Sequence, residues 1–555
     1  MNESSLQRMW FPQADYTKRF SPVLWNTTMS LFDPIKPIKT PRVGLYSVGH
    51  EHYWNQFDGL LDRLLGYNRF IAQQISTHGE VCNAGMIDSE SGARAAAEKF
   101  NAANVDIIFC HAATYAMSAS HISIARHCQR PVVVLNLQPT AAMNYDQTTT
   151  GEWLAHCVGC CVPEISNAFN RSGIDFHIVS GLLGLTETPE ISLADECTSD
   201  HPEAIAAWEE IHAWVKASAA VRTLREGRMG FLGHTYPGML DMYSDFTMMG
   251  AGTGMHIEVM EMCDLDRLAQ SVTVAETREK LEQVHEMFVI SEDSPADPLA
   301  RKPKPEQLDI ACRVAVAQEK LVRDFDLDAL TYYYRGREGN AYEELQESLI
   351  LGNSLLTAQG IPCSGEGDMK TAVAMKICDI LEAGGSYTEI VSSDFNHGTI
   401  ILGHDGPFHI AISDQKPILR GMGLYHGKWG TGVSVEATVQ KGPVTLLNLT
   451  QTGEGRLRFI GNEGIAIDAP ILKIGNTMTH VRFDRGPSQM MNDWFALAPT
   501  HHGALAVGHQ SELFRKVATL MDIEWCSVSH GEAIEDSTVA SRDILSLGKA
   551  ELHES

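Results

Sequence analysis

Two glutamates and a small set of histidines, Glu366, Glu389, His404 and the adjacent pair His501 and His502, are the residues whose types could do chemistry together. Carboxylates and imidazoles in combination suit Mn²⁺ or a similar divalent ion. A cation so held can polarise a carbonyl and an adjacent hydroxyl, and a glutamate beside it can move a proton between neighbouring carbons. Metal-assisted hydrolysis uses the same groups, and nothing in the local spacing separates the two chemistries.

The elements around these residues place them at element ends. Glu366 sits in a Gly-Glu-Gly-Asp turn. Val373, Ile377, Ile380 and Leu381 then share one face of an expected helix, which Gly384-Gly385 stops. A strand over Thr388 to Ser392 carries Glu389, and an apolar strand over Thr399 to Leu402 leads into Gly403-His404. Asp394 is the rival of Glu389 as second carboxylate. A carboxylate at position 366 could instead cap the helix that follows it, because the helix dipole favours negative charge there.

Before residue 386 the chain alternates apolar strands with amphipathic helices. VGLYSVG from Val43, VDIIFC from Val105 and PVVVLNL from Pro131 read as buried strands, and helical pattern runs from Trp54, over 91–103 and from Ala116 to His127. Such alternation means βαβ units and a parallel sheet. In such sheets ligands meet the loops at the carboxyl ends of the strands. Those loops carry His50-Glu51-His52, His111 and Gln138. A second set follows, with strands at Arg228 to Leu232 and Ala329 to Tyr334 and helices at Glu276 to Phe288, Leu308 to Val322 and Tyr342 to Gln359. After residue 386 the strands become short with glycine at the turns, which predicts antiparallel sheet in a barrel or sandwich.

The expected fold class is α/β: two doubly wound, Rossmann-like parallel-sheet domains followed by a mostly antiparallel, barrel-like C-terminal domain. The expected boundaries are an extension over 1–40, an N-terminal α/β domain over 41–190, a central α/β domain over 191–385 and a β-rich domain over 386–555. Residues 291–306 are rich in proline and charge and read as a linker or surface loop.

Composition excludes several classes. The chain has 555 residues and a formal net charge of −27, which disfavours a nucleic-acid partner, since binding a polyanion needs a basic surface. No run is long enough to span a bilayer and no apolar leader follows Met1, so no membrane association is expected and the location expected is cytoplasmic. Twelve cysteines are spread along the chain. Cys157, Cys160 and Cys161 form a Cys-x-x-Cys cluster, read here as buried, reduced thiols because no second pair stands nearby to complete a zinc site. Gly252-Thr253-Gly254 lacks the spacing of a nucleotide loop.

Several motifs carry a resemblance. GEGDMKTA at 365–372 is similar to the GEGDWKTA signature of L-arabinose isomerases. LGHDGPF at 402–408 resembles the metal-histidine turn of the L-arabinose and L-fucose isomerase superfamily, and PTHHGALAVGH at 499–509 resembles the arabinose isomerase His-His turn. VGHEHYW at 48–54, FCHAATYA at 109–116 and LNLQPTAAMNYD at 135–146 are similar to its N-terminal loops. The resemblance covers roughly residues 40 to 530.

It implies Glu366, Glu389, His404 and His502 as metal ligands, with the two glutamates as the acid–base pair. It implies Glu51, His111, Gln138 and His501 as substrate-binding residues, with His111 reaching a neighbouring subunit's site, and no organic cofactor. The implied reaction is aldose–ketose isomerisation through an ene-diol, on L-arabinose or a related pentose or deoxyhexose. Mn²⁺ is the first expectation for the metal, with Mg²⁺ and Co²⁺ as alternatives. The implied assembly is a homo-oligomer, trimer or hexamer, with shared active sites. Met369 stands where the family has Trp, and Glu51 where it has Gln, which adds a charge and removes a donor. A non-catalytic sugar-binding protein, and a metal-dependent lyase or hydrolase acting on a sugar acid, are the alternative readings on this fold.

Overall fold

The computed structural model describes residues 32–186, 197–336, 339–422 and 432–528. The expected extension therefore lies outside the described residues up to position 31, as do residues 187–196. The chain divides into two compact units, one comprising Lys39–Arg222 and one comprising Thr223 onward together with the segment ending at Ile38.

The N-terminal unit is built on five parallel strands: β1 (Arg42–Val48), β2 (Glu80–Ile87), β3 (Ile107–Ala112), β4 (Val132–Gln138) and β5 (Phe176–Leu182), in the order β2-β1-β3-β4-β5. β3 is buried along its whole length and β4 over its first four residues, as expected of strands covered on both faces. The helix Glu90–Ala103 begins where Ser89 Oγ accepts from Gly92 N and ends at Asn104 in the left-handed conformation. It buries Ala93, Ala96, Ala97 and Phe100 in a core shared with Ile108, Val132 and Val134. The helix expected from Trp54 begins only at Leu60, after a one-turn helix over Glu51–Tyr53. The one expected from Ala116 is confined to Ile122–Cys128.

The second unit contains a parallel sheet and a barrel. The strands in chain order are β6 (Arg228–Gly233), β7 (His256–Met260), the two-residue β8 (Val289–Ile290) and β9 (Ala300–Arg301), β10 (Ala329–Tyr333) and β11 (Cys363–Ser364). The parallel sheet is ordered β11-β10-β6-β7. The remainder are β12 (Gly384–Asp394), β13 (Thr399–His404), β14 (Ile418–Met422), β15 (Val433–Glu436), β16 (Gly442–Gln451), β17 (Leu457–Ile467), β18 (Thr477–Phe483), β19 (His502–Val507) and β20 (Glu524–Ser527).

Six of these strands, β16-β19-β12-β13-β18-β17, are antiparallel neighbours, and the pairing of β16 with β17 closes them into a barrel. Closure removes the free edges that an open antiparallel sheet would expose. Ile400, Leu402, Val444, Leu446, Ile460, Val481 and Leu505 from its strands share one buried cluster with Trp494 and Leu497. Of the two readings of residues 291–306, the structure shows a surface loop rather than a linker, in which β9 pairs with Gly421 and Met422 of β14. Among the described residues, no helix is long and apolar enough to cross a membrane.

Candidate functional site

Glu366 stands on a strained turn. After β11 the chain places Glu366 at φ 61° and Gly367 at φ 72°, two consecutive left-handed residues. For a non-glycine residue this costs on the order of 1–3 kcal/mol and persists only where surrounding bonds hold it. Here they do. Glu366 O accepts from Tyr236 N at 2.9 Å, and Gly367 N donates to Tyr332 O at 2.9 Å. Gly367 is needed twice over, for its φ and because a Cβ there would lie 2.6 Å from His234 O. Asp368, not Glu366, caps the helix Met369–Ile380, accepting from Thr371 N at 3.1 Å and Thr371 Oγ1 at 2.8 Å. The Glu366 side chain is thereby free to face the barrel.

The barrel supplies the other groups where three strands meet. Glu389 is paired on both sides of β12, with Gly403 of β13 and His502 of β19. β13 ends at His404, one residue beyond the partner of Glu389, and β19 begins at His502, directly opposite it. The glycine before His404 is required by close backbone approach, since a Cβ on Gly403 would lie 1.8 Å from Thr477 O.

The side chains converge. His404 Nε2 and His502 Nε2 are 3.3 Å apart, and Glu366 Oε2 lies 3.5 Å from His502 Nε2. Glu366, His404 and His502 offer ligand atoms that all lie within 4.8 Å of one another, as do Glu389, His501 and His502. His502 is 1 % exposed and His404 6 %, so this convergence is buried.

Each histidine has its own carboxylate. His502 Nδ1 donates to Asp368 Oδ2 at 3.1 Å, and His501 Nδ1 donates to Asp241 Oδ2 at 2.6 Å. His404 Nδ1 lies 3.1 Å from Asp405 Oδ1, an ion-pair contact without hydrogen-bond alignment. A carboxylate only accepts, so in His502 and His501 it fixes the proton on Nδ1, and in a neutral ring this leaves Nε2 with a lone pair. Carboxylate–histidine pairs of this kind orient metal-ligating imidazoles. Tyr387 adds its hydroxyl 2.7 Å from His502 Nδ1.

The electrostatics follow from burial and these partners. Burial raises the Glu366 carboxyl above its usual range, although His404 and His501 oppose it. Burial pushes His502 down to about 4 despite Asp368, so its ring is neutral. Burial would lower His404 and His501 also, but Asp405 and Asp241 outweigh it and both titrate above the ordinary imidazole. Asp241 resists its own burial through the bonds from His501 and is held well below the usual carboxylate range.

The residues present fit a divalent cation on two observations. Glu366 Oε2 is buried and makes no hydrogen bond. His502, neutral and with its Nδ1 proton on Asp368, presents an Nε2 lone pair to the cluster, 3.3 Å from His404 Nε2.

The other expected residues stand elsewhere. Asp394 accepts from His397 N at 2.9 Å and pairs with the His397 ring at 2.7 Å, at the far end of β12. Glu51, His111 and Gln138 belong to the N-terminal unit, at the carboxyl ends of the neighbouring strands β1, β3 and β4. Glu51 is exposed beside His52. His111 is 1 % exposed, bonded through Nδ1 to Ser47 Oγ at 2.8 Å, and burial pushes it down to about 3. Gln138 Nε2 donates to the carbonyl of His156 at 3.2 Å. Gly252-Thr253-Gly254 ends a helix rather than starting one, so its amides do not form a phosphate cradle.

Sequence reasoning missed Asp241, Asp368, Asp405 and Tyr387. Asp405 adjoins His404 and Asp368 lies inside the GEGD turn, so both had a positional signal. Asp241, in the loop after β6, had none.

No protein-family model matches the chain. Curated L-arabinose isomerases do. That of Tolumonas auensis is 20 % identical over 338 residues, covering 60 % of this chain and 66 % of the relative. That of a Nocardioides species is 22 % identical over 343 residues with the same coverage, and that of Escherichia coli is 20 % identical over 332 residues, covering 57 % and 63 %. The chain spans just under two thirds of the length of the curated relatives it matches. These matches support a distant arabinose isomerase-like relationship. A solved periplasmic solute-binding protein of an ABC transporter from Actinobacillus succinogenes, with bound D-allose, covers 59 % of this chain and 78 % of its own at 10 % identity and a TM-score of 0.15, too low to carry an argument.

Proposed function

We propose that this chain is a divalent-metal-dependent aldose–ketose isomerase whose cation is held by Glu366, Glu389, His404 and His502. The observation that carries the reading is the convergence of Glu366 Oε2 with the facing Nε2 atoms of His404 and His502, with Asp368 bonded to His502 and Asp405 beside His404. The distant relationship to L-arabinose isomerases supports the same reaction class.

When bound, a divalent cation would polarise the sugar carbonyl and the neighbouring hydroxyl. The protein's own residues do the rest. Glu366 groups with His404 and His502, and Glu389 with His501 and His502, so the two carboxylates share His502 and one can take the proton from C2 while the other manages the proton between the oxygens. Transfer of a proton from the protonated carboxyl to C1 of the ene-diol completes the isomerisation. His501, partly exposed and made more basic by Asp241, can donate from Nε2 to a substrate oxygen. His502, neutral through burial, keeps its orientation through Asp368.

The substrate class is a pentose or deoxyhexose, with L-arabinose the first to test and Mn²⁺ the first metal, before Mg²⁺ and Co²⁺. Glu51, His111 and Gln138 are assigned to substrate recognition in a homo-oligomer with shared sites, a trimer or a hexamer. The experiment is direct. Metal-stripped protein is reloaded with Mn²⁺ and incubated with a panel of aldoses, and ketose is measured. Conversion that disappears in Glu366→Gln supports the reading. No conversion of any pentose or deoxyhexose by protein that has taken up the metal would overturn it in favour of a sugar-binding role.

A further inference from the structure

The cysteine cluster of the N-terminal unit is not the buried, inert group that its sequence predicts. Cys161 is, at 0 % exposed, with its sulfur against the carbonyls of Thr114 and Val158. Cys160 is exposed and Cys157 is half-buried. Their sulfurs are 3.0 Å apart, about 1 Å beyond a disulfide bond of roughly 2.05 Å. The turn is already closed on itself, for Cys160 Sγ lies 3.1 Å from the carbonyl of Cys157. Closing the bond therefore needs a small side-chain movement and no rearrangement of the helices on either side.

We propose that Cys157 and Cys160 form a reversible redox modification site, oxidised to an intramolecular disulfide by exchange with a low-molecular-weight disulfide. Cys160, the exposed sulfur, reacts first. Its thiolate attacks one sulfur of the small disulfide, breaks that S–S bond and releases one thiol, leaving a mixed disulfide on Cys160. The Cys157 sulfur then attacks Cys160, forms the protein S–S bond and releases the second thiol. The two cysteines are oxidised by two electrons, the small disulfide is reduced to two thiols, and the two cysteine protons end on those thiols.

The order of attack has a second support. Burial, and then the hydrogen bond and charge of Cys160, push the Cys157 thiol up to about 12. It is the poorer nucleophile until Cys160 has been derivatised, which removes the part of that rise owed to Cys160. The place also matters. His156, next in sequence, gives its carbonyl to Gln138 and its ring to Thr140 Oγ1 at 2.7 Å. Tyr53, in the turn after β1, has its phenol raised by burial and then by both sulfurs. The pair thus borders the loops at the carboxyl ends of β1 and β4.

The test uses the full chain. It is incubated with oxidised glutathione, denatured, blocked with N-ethylmaleimide and mapped by mass spectrometry over all twelve cysteines. The expected result is a Cys157–Cys160 link lighter by two hydrogens, reversed by dithiothreitol, present in Cys161→Ser and replaced in Cys160→Ser by no intramolecular link. Twelve blocked cysteines after oxidation, or a link that maps to another pair, overturns the proposal. Should Cys160→Ser fail to fold, the map of the unsubstituted chain decides alone.

Discussion

Asp368 Oδ2 stands 3.1 Å from His502 Nδ1 while the same carboxylate caps the helix Met369–Ile380 through Thr371. One buried aspartate thus fixes both the start of a helix and the proton on an imidazole. The two tasks can be separated by substitution.

Asp368→Asn keeps a good capping residue but weakens the orientation and basicity of His502. Loss of an outer carboxylate of this kind typically costs about 10–100-fold in metal affinity. We expect Asp368→Asn to weaken Mn²⁺ binding by that order with little change in melting temperature. Asp368→Ala should lose the cap as well, a further ~1 kcal/mol of stability. Calorimetric metal titration and thermal melts of both variants check this; equal Mn²⁺ affinity in parent and Asp368→Asn would contradict it.

Gly367→Ala tests the turn. Its Cβ would lie 2.6 Å from His234 O at a φ of 72°, so the turn must shift and carry Glu366 with it. The expected cost is about 1–3 kcal/mol of stability and a loss of activity larger than unfolding explains. Urea denaturation alongside turnover of the folded fraction measures both.

The buried histidines of the N-terminal unit make its stability pH-dependent. Burial lowers His111 to about 3, and His121 and His212 to about 4. In the unfolded chain all three titrate near 6.5, as ordinary imidazoles do. Between these values the unfolded state binds more protons, so stability is complete above about pH 6.5 and falls as pH drops toward 4, by up to ~1.4 kcal/mol per group per pH unit. Denaturation midpoints between pH 7 and 5 should fall accordingly, and His121→Phe should flatten the slope. A midpoint that stays level over that range would rule the account out.

Much of this architecture was legible because parallel strands and their helices write strong periodicities. VDIIFC and PVVVLNL read as buried strands without help, although β3 and β4 run on to include His111 and Gln138, which were expected in the loops beyond. The approach to the site did not read so well. Gly384-Gly385 resembles a helix stop, and the strand was expected only over Thr388 to Ser392; instead β12 begins at Gly384. Its first residues, at φ 74° and 102°, are held by pairing across a bulge to β19, which lies more than a hundred residues downstream. Local propensity carries no trace of that pairing. The same holds for Asp241, whose only signal is a contact with His501 that folding creates.

The account rests on four side chains sharing one cation, and binding stoichiometry tests that most directly. Titration of metal-stripped protein with Mn²⁺ should show one ion per chain in the parent. In a folded His404→Ala, His502→Ala double variant, confirmed by circular dichroism, that site should be lost. A double variant that still binds one Mn²⁺ with parental affinity would contradict the account.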